Sequence, residues 1–153
     1  MAIAEVLSFD HVDLTVSDLE RAIAFYEKVL GALGFRRVPH ETYVAWGNAH
    51  TSIGLYPAAA EHTDVPVDRT RPGFHHAAFR VKSRSEVDAF HRFLLEAGIT
   101  VLDAPAEYPE YGPRYYAVFF ADPDGMKLEV VHFPWGYWRR VMTDGRDERP
   151  RGG

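Results

Sequence analysis

The sequence predicts an α+β fold of two tandem βαβββ modules, whose strands form a curved mixed sheet with a concave cavity. Three observations support this: an internal repeat, a helix with matching end signals in each half, and three strand-like runs after each helix. In the repeat, HVDLTV (residues 11–16) and HAAFRV (residues 76–81) share the pattern His-apolar-x-apolar-x-Val at an offset of 65 residues, 76 minus 11. A repeat of this kind marks a repeated structural unit.

A helix is predicted after the first strand of each half. Between residues 19 and 33, and again between residues 87 and 97, apolar side chains recur at steps of three and four, which is typical of an amphipathic helix. Each helix is expected to begin at a Ser-x-x-Glu capping box and to end just before a glycine. These signals are Ser17, Glu20 and Gly34 in the first half, and Ser83, Glu86 and Gly98 in the second.

The strand-like runs after the helices are FRRV, TYVAW and TSIGLY in the first half, and ITVL, YYAVFF and MKLEVV in the second. Gly47-Asn48 and Asp124-Gly125 lie where tight antiparallel turns favour residues that tolerate positive φ. The predicted organisation is a first module over residues 1–58, a linker over 59–72, a second module over 73–133, and a C-terminal extension with a disordered tail over 134–153.

The composition excludes several classes of partner. The chain has 153 residues, of which 46% are hydrophobic and 25% charged, and its net charge is −5. Because nucleic-acid binding needs clustered Lys and Arg, we expect no nucleic-acid partner. The chain has no cysteine and no run of about 18 apolar residues. We therefore expect no disulfide, no membrane partner and a cytoplasmic location.

Strand alternation divides the residues of the two repeated strands between two faces. Their apolar residues must face the helix of the same module, which leaves His11 and Asp13 on the opposite face of the first strand. The same alternation leaves His76 and Arg80 on the opposite face of the fifth strand. His75 has helix-side parity, and we interpret it as a cap or edge residue.

A carboxylate, Glu129, interrupts the apolar run of the last strand, and such a group is costly to bury unless it is paired or bound. If the sheets join into one curved sheet, His11, His76 and Glu129 converge on its concave side. A site of two imidazoles and one carboxylate, with the other coordination positions of the metal open, is an arrangement used to bind Fe(II), Mn(II), Ni(II) or Zn(II). The alternative is that each is a hydrogen-bonded structural group. The repeat counterpart of Glu129 is Gly54, so the first half lacks this acid.

Three segments between residues 7 and 133 resemble the vicinal oxygen chelate (VOC) superfamily, which includes glyoxalase I, extradiol dioxygenases, fosfomycin-resistance thiol transferases, methylmalonyl-CoA epimerase and bleomycin-resistance binding proteins. The segments are FDHVDLTVSDLERAIAFYEKVLGALGF, HHAAFRVKSRSEVDAFHRFLLEAGI and FFADPDGMKLEVVHFP. The resemblance implies the glyoxalase/VOC fold and a divalent metal. His11, His76 and Glu129 match the family's metal ligands.

The resemblance fails at the acid that the family has on strand four, where this chain has Gly54. That absence puts four-ligand glyoxalase I and epimerase chemistry in doubt, and the three-ligand pattern is closer to the extradiol dioxygenases and the thiol transferases. In the transferases, however, a small hydroxyl residue stands where this chain has Asp13.

Further residues on the predicted cavity side are candidates for catalysis or substrate binding. Asp13 is a candidate general base or second-shell partner of a ligand histidine, and Arg80 a candidate carboxylate-binding group. We also predict Tyr116 as catalytic. The predicted substrate-binding residues are Trp46, Tyr111, Arg114 and Tyr115. For all of these, ordinary packing or pairing is the alternative.

Two functions follow from these patterns. The first is a metal-dependent enzyme, a lyase or isomerase or an extradiol-type dioxygenase, that acts on a small oxygen-chelating substrate through a 2-His-1-carboxylate site. The second is a metal-free small-molecule binding protein of the bleomycin-resistance type. In either case the expected partner is a small molecule, and a homodimer is left open.

Overall fold

A computed structural model describes residues 8–39 and 43–134, together with Ile3 and Gly136. Its described part contains eight β-strands and two α-helices, which confirms the predicted α+β class and the tandem modules. The chain divides into two compact units, Met1–Val67 and Asp68–Gly153. The predicted C-terminal extension lies outside the described residues from position 135 onward, apart from Gly136. Among the described helices, none has the length and apolar character needed to span a membrane.

The first unit contains one helix and a four-stranded sheet of order β1-β4-β3-β2. β1 and β4 are parallel, and the other neighbours are antiparallel. Its elements are β1 (His11–Val16), α1 (Leu19–Ala32), β2 (Arg36–Val38), β3 (Val44–Gly47) and β4 (Ser52–Pro57).

The second unit repeats this topology, with a sheet of order β5-β8-β7-β6 in which β5 and β8 are the parallel pair. Its elements are β5 (Ala77–Val81), α2 (Arg84–Glu96), β6 (Val101–Glu107), β7 (Tyr116–Ala121) and β8 (Lys127–His132). Each unit is therefore a βαβββ module with its own four-stranded sheet.

Both helices end as the sequence predicts. Gly34 and Gly98 follow the helix ends with φ of 81° and 67°, a conformation that glycine adopts without a Cβ penalty. The residue after each glycine donates a hydrogen bond back to the last turn, Phe35 to Leu30 and Ile99 to Leu94, both at 2.9 Å. These bonds satisfy carbonyl groups that would otherwise lack a partner at the helix end.

The helix starts agree with the sequence in one unit only. At α2 the Ser83 hydroxyl accepts from the Glu86 amide at 3.2 Å, and the Glu86 carboxylate accepts from the Lys82 amide at 2.6 Å. At α1 the predicted cap Ser17 was wrong, because Asp18 is the cap and accepts from the Arg21 amide at 3.0 Å. A carboxylate there also complements the positive end of the helix dipole.

Each helix covers one face of its sheet. In the second unit, the Phe90 ring of α2 lies 5.6 Å from the Phe120 ring of β7. In the first, the indole of Trp46 on β3 donates to Glu27 of α1. We call the opposite side of each sheet the helix-free face. By register and alternation it presents His11, Asp13, Ala45 and Gly54 in the first unit, and Ala78, Phe119 and Glu129 in the second.

Replacing Asp18 with Ala is expected to lower the free energy of unfolding by about 1 kcal/mol, because the amides of the first turn lose their carboxylate acceptor. Urea unfolding followed by circular dichroism measures the change. Ser17→Ala is the matched control and is expected to cost less, since Ser17 is not the cap of α1 and its hydroxyl accepts from the exposed Arg21 side chain. A larger loss for Ser17→Ala would contradict the assignment of the cap.

Candidate functional site

The most distinctive group on a helix-free face is the pair formed by His76 and Glu129 in the second unit. His76 directly precedes β5, and Glu129 lies on the parallel neighbour β8, where it is aligned with Ala78. Nε2 of His76 lies 3.3 Å from Oε2 of Glu129. The parallel pairing of β5 with β8 therefore brings together two residues that are 53 positions apart in the chain, 129 minus 76.

The carboxylate of Glu129 is buried, with 1% of the residue exposed. The Tyr115 hydroxyl donates a hydrogen bond of 2.5 Å to Oε1, so Oε2 is the oxygen that faces His76. Burial raises the pKa of Glu129, while the Tyr115 hydrogen bond and the charge of Lys127 act in the opposite direction. These partners offset part of the cost of burying a carboxylate.

His76 presents Nε2 to Glu129 because its other nitrogen is already engaged. Nδ1 of His76 lies 2.6 Å from Nδ1 of His75, with the two rings 71° apart, so one nitrogen donates and the other accepts. Burial, followed by the charges of His75, Lys127 and Arg69, lowers the pKa of His76. A neutral imidazole is the form that binds metals. Our interpretation of His75 as an edge residue missed this contact.

The pair has the chemistry and spacing of two ligands to one divalent cation. Ligands that lie about 2.1 Å from an ion in tetrahedral or octahedral geometry are about 3.0 to 3.4 Å from each other, and the His76–Glu129 distance is 3.3 Å. Within the ranges that the structure describes, no three His, Asp or Glu side chains cluster closely enough to hold a metal ion. The His76–Glu129 geometry is thus that of a two-ligand pair.

In the first unit, His11 lies at the start of β1 and is exposed. Its Nδ1 contacts Oδ2 of Asp10 at 2.9 Å, and its Nε2 lies 3.9 Å from Oδ2 of Asp13. The hydrogen bond that His11 donates to the Asp10 carboxylate, and then the charge of Asp13, raise the pKa of His11. Asp13 is aligned with Gly54 on β4, as Ala78 is with Glu129 on β8, so Gly54 is the counterpart of Glu129 that the repeat predicts.

Aromatic side chains continue the helix-free face of the second unit beyond the His76–Glu129 pair. The Tyr108 ring lies 5.2 Å from Phe119, and the Tyr115 ring lies 5.1 Å from Phe133. Tyr111 stacks on Tyr108 at 5.8 Å and is half exposed. We call this group the aromatic cluster; its members are Tyr108, Tyr111, Tyr115, Phe119 and Phe133. Such a surface packs well against an apolar or aromatic molecule.

Two cations flank the aromatic cluster. The guanidinium of Arg80 on β5 lies 5.6 Å from the centre of the Phe133 ring, and the ammonium of Lys127 on β8 lies 3.7 Å from that of Phe119. Lys127 also approaches Asp103 at 3.9 Å. Lys127 is not among the predicted site residues, although its position two residues before Glu129 places it on the same face. Arg114 is exposed, and its φ of 66° is unusual for a residue other than glycine.

Trp46 was predicted to bind substrate and Tyr116 to be catalytic, but the structure places both on the helix side of their sheets. Trp46 is 1% exposed and donates from Nε1 to Oε2 of Glu27 at 2.7 Å. The Tyr116 hydroxyl donates to Oδ1 of Asp88 on α2 at 2.8 Å. Both side chains connect a strand to its helix. We therefore omit them from the candidate site.

Comparison with known proteins assigns the family. The profile of the Glyoxalase/Bleomycin resistance protein/Dioxygenase superfamily matches residues 8–130. The chain belongs to this superfamily. The metallothiol transferase FosB of Lysinibacillus sphaericus is 32% identical to it over 127 residues, which are 81% of each protein. Glyoxylase I 4 of Arabidopsis thaliana is 30% identical over 128 residues, 82% of this chain and 70% of the relative.

A solved structure gives the same result for the fold. The crystal structure of a glyoxalase-like protein from Bacillus halodurans superposes with a TM-score of 0.70 at 31% identity, covering 82% of this chain and 95% of that one. The VOC resemblance read from the sequence is thereby confirmed. Since relatives named for transferase and glyoxylase activity share the superfamily, membership supports enzyme activity in general.

Replacing Tyr115 with Phe is expected to lower the free energy of unfolding by about 1 to 3 kcal/mol, because it leaves one oxygen of the buried Glu129 carboxylate without its donor. Urea unfolding measures the loss. Tyr108→Phe is the matched control, since it keeps a ring in the aromatic cluster and leaves the bond to Glu129 intact. Equal losses in the two variants would contradict the role given to the Tyr115 hydroxyl.

Proposed function

We propose that the protein is a metal-dependent enzyme that acts on a small oxygen-chelating organic molecule, with His11, His76 and Glu129 as the metal ligands. The observation that carries this proposal is the His76–Glu129 pair. His75 engages Nδ1 of His76 and Tyr115 engages Oε1 of Glu129. One nitrogen and one oxygen are left facing each other at the spacing of two metal ligands.

A divalent Fe, Mn, Ni or Zn ion bound there would polarise the substrate's oxygens and stabilise the negative charge that develops on them. The surrounding residues have separate tasks. Tyr115 fixes the orientation of Glu129, and His75 fixes that of His76, as outer partners of ligands usually do. The burial of Glu129 favours its interaction with a cation over its interaction with water.

The aromatic cluster and its two cations suggest the chemical class of the substrate. Tyr111 and Tyr115 offer ring faces to an apolar or aromatic body, while the Tyr115 hydroxyl is bonded to Glu129. Arg80 and Lys127 offer positive charge to an anionic oxygen of the same molecule. Arg114, which lies in the turn between Tyr111 and Tyr115, is a further candidate contact with the substrate. We therefore propose a small organic anion with an apolar part as the substrate.

Lyase or isomerase chemistry is the reaction class that we favour over oxygen-dependent ring cleavage. The support is the likeness to glyoxylase I 4, together with the carboxylate of Asp13, whose Oδ2 lies 3.9 Å from Nε2 of His11. We also propose the cytoplasmic location expected from the sequence, which leaves a homodimer open.

A competing function is the metal-free binding of an aromatic molecule. The aromatic cluster favours it, since ring stacking needs no metal ion. The His76–Glu129 pair favours the metal-dependent function instead, because one imidazole nitrogen and one carboxylate oxygen face each other at the spacing of two metal ligands.

Metal content distinguishes the two functions. Full-length protein without a histidine tag, supplied with Fe(II), Mn(II), Ni(II) or Zn(II), is expected to retain about one ion per chain by elemental analysis. His76→Ala and Glu129→Gln are each expected to weaken binding by about tenfold or more, since each removes a ligand. His62→Ala, an exposed histidine on a short 3₁₀ turn, is the control and should bind as the parent does. A parent protein that retains none of the four ions would contradict the enzyme proposal.

A further inference from the structure

Gly54 on β4 has no backbone reason to be glycine. Its φ is not in the positive region, unlike those of Gly34 and Gly98. The constraint is a side chain instead: a Cβ added at Gly54 would overlap Oδ1 of Asp13 and lie 3.2 Å from its Cγ. The carboxylate of Asp13 therefore occupies the space above Gly54 that the side chain of a β4 acid would need.

Asp13 reaches this position from the neighbouring strand. β1 and β4 are parallel, and Asp13 is aligned with Gly54 in their register. In the second unit, the equivalent register position pairs Ala78 with Glu129. The acid and the small residue have thus exchanged strands between the two units. Each unit retains one carboxylate at this register position of its parallel strand pair.

The two histidines are held in corresponding ways. Nδ1 of His11 contacts the side chain of the preceding residue, Asp10, at 2.9 Å, and Nδ1 of His76 contacts that of the preceding residue, His75, at 2.6 Å. In both cases Nε2 is left facing the carboxylate of its own unit. The distances are 3.9 Å from His11 to Asp13 and 3.3 Å from His76 to Glu129.

We propose that Asp13 is the acid of the first unit and that it joins His11 there as a metal ligand. This inference rests on the proposed function, in which His11 is a ligand, and adds Asp13 beside it. Asp13 and His11 are both exposed, so their side chains have room to close the longer distance around an ion. The glycine at position 54 is then what makes a ligand on β1 sterically possible, and lyase or isomerase chemistry with two acids is compatible with this chain.

The test is a calorimetric titration of the metal-free full chain with Ni²⁺ and with Zn²⁺. Asp13→Asn is expected to weaken binding by about tenfold or more, because the amide replaces a charged ligand with a neutral one. Gly54→Ala is expected to weaken binding to a similar extent without touching any ligand, because its Cβ displaces the Asp13 carboxylate. The double variant Asp13→Ala, Gly54→Glu is expected to recover affinity by returning the acid to β4.

Gly31→Ala is the matched control for a glycine substitution. It lies in α1, and an added Cβ there has no neighbour within 4 Å, so its titration should match that of the parent. Thermal unfolding of the metal-free variants checks that each is folded. A Gly54→Ala variant that fails this check leaves Asp13→Asn and the double variant to decide.

The outcomes separate this inference from the proposal on which it rests. If Glu129→Gln weakens binding and Asp13→Asn does not, Asp13 is not a ligand, while the proposed metal-dependent function stands. Parent-like affinity in a folded Gly54→Ala variant would also overturn the inference. If the parent binds neither ion, the inference and the proposed function fail together.

Discussion

The buried carboxylate of Glu129 is the constraint on which the candidate site depends. Taking such a charge out of water is costly, so the surrounding structure has to supply partners. Tyr115 provides a hydrogen bond, Lys127 provides charge, and His76 provides an imidazole nitrogen. Each partner belongs to a different segment. Tyr115 ends the Tyr108–Tyr115 turn, Lys127 begins β8, and His76 lies directly before β5. Tyr115 of the aromatic cluster and the flanking cation Lys127 therefore interact with the same carboxylate that is proposed to bind the metal.

The repeat explains why a comparable site is expected in the first unit. Parallel pairing of the first and last strands of a βαβββ module sets the residue on one strand beside its register partner on the other. Both units have a carboxylate in such a register pair. It lies on β8 in the second unit and on β1 in the first. An exchange between register partners moves a carboxylate by one strand while keeping it on the helix-free face.

Strand alternation predicted the His76–Glu129 pair because both strands have a clear apolar side or an isolated polar residue. It failed at Trp46 and Tyr116, whose strands VAWG and YAVFFA have buried residues on both faces. Without a contrast between polar and apolar positions, the pattern defines two sets of residues and does not say which set faces the helix. The register with β4 and β8 decides this, and register depends on tertiary pairing.

Other differences have local causes that a pattern of spacing does not contain. The N-cap of α1 is Asp18 and not the predicted Ser17. Both residue types are good caps, and only the path of the backbone selects between them. His75 was assigned by parity to the helix side, yet β5 begins at Ala77, so alternation does not extend back to it. Lys127 was overlooked because a lysine at a strand start is usually solvated, whereas here its ammonium lies over the Phe119 ring.

The central claim is that Nε2 of His76 and Oε2 of Glu129 bind one metal ion. Anomalous diffraction from crystals of the metal-loaded full chain tests it most directly. We expect a single strong peak about 2.0 to 2.2 Å from both atoms, with the Tyr115 hydroxyl still bonded to Oε1 of Glu129. A metal peak elsewhere, with His76 and Glu129 remaining in contact with each other alone, would contradict it.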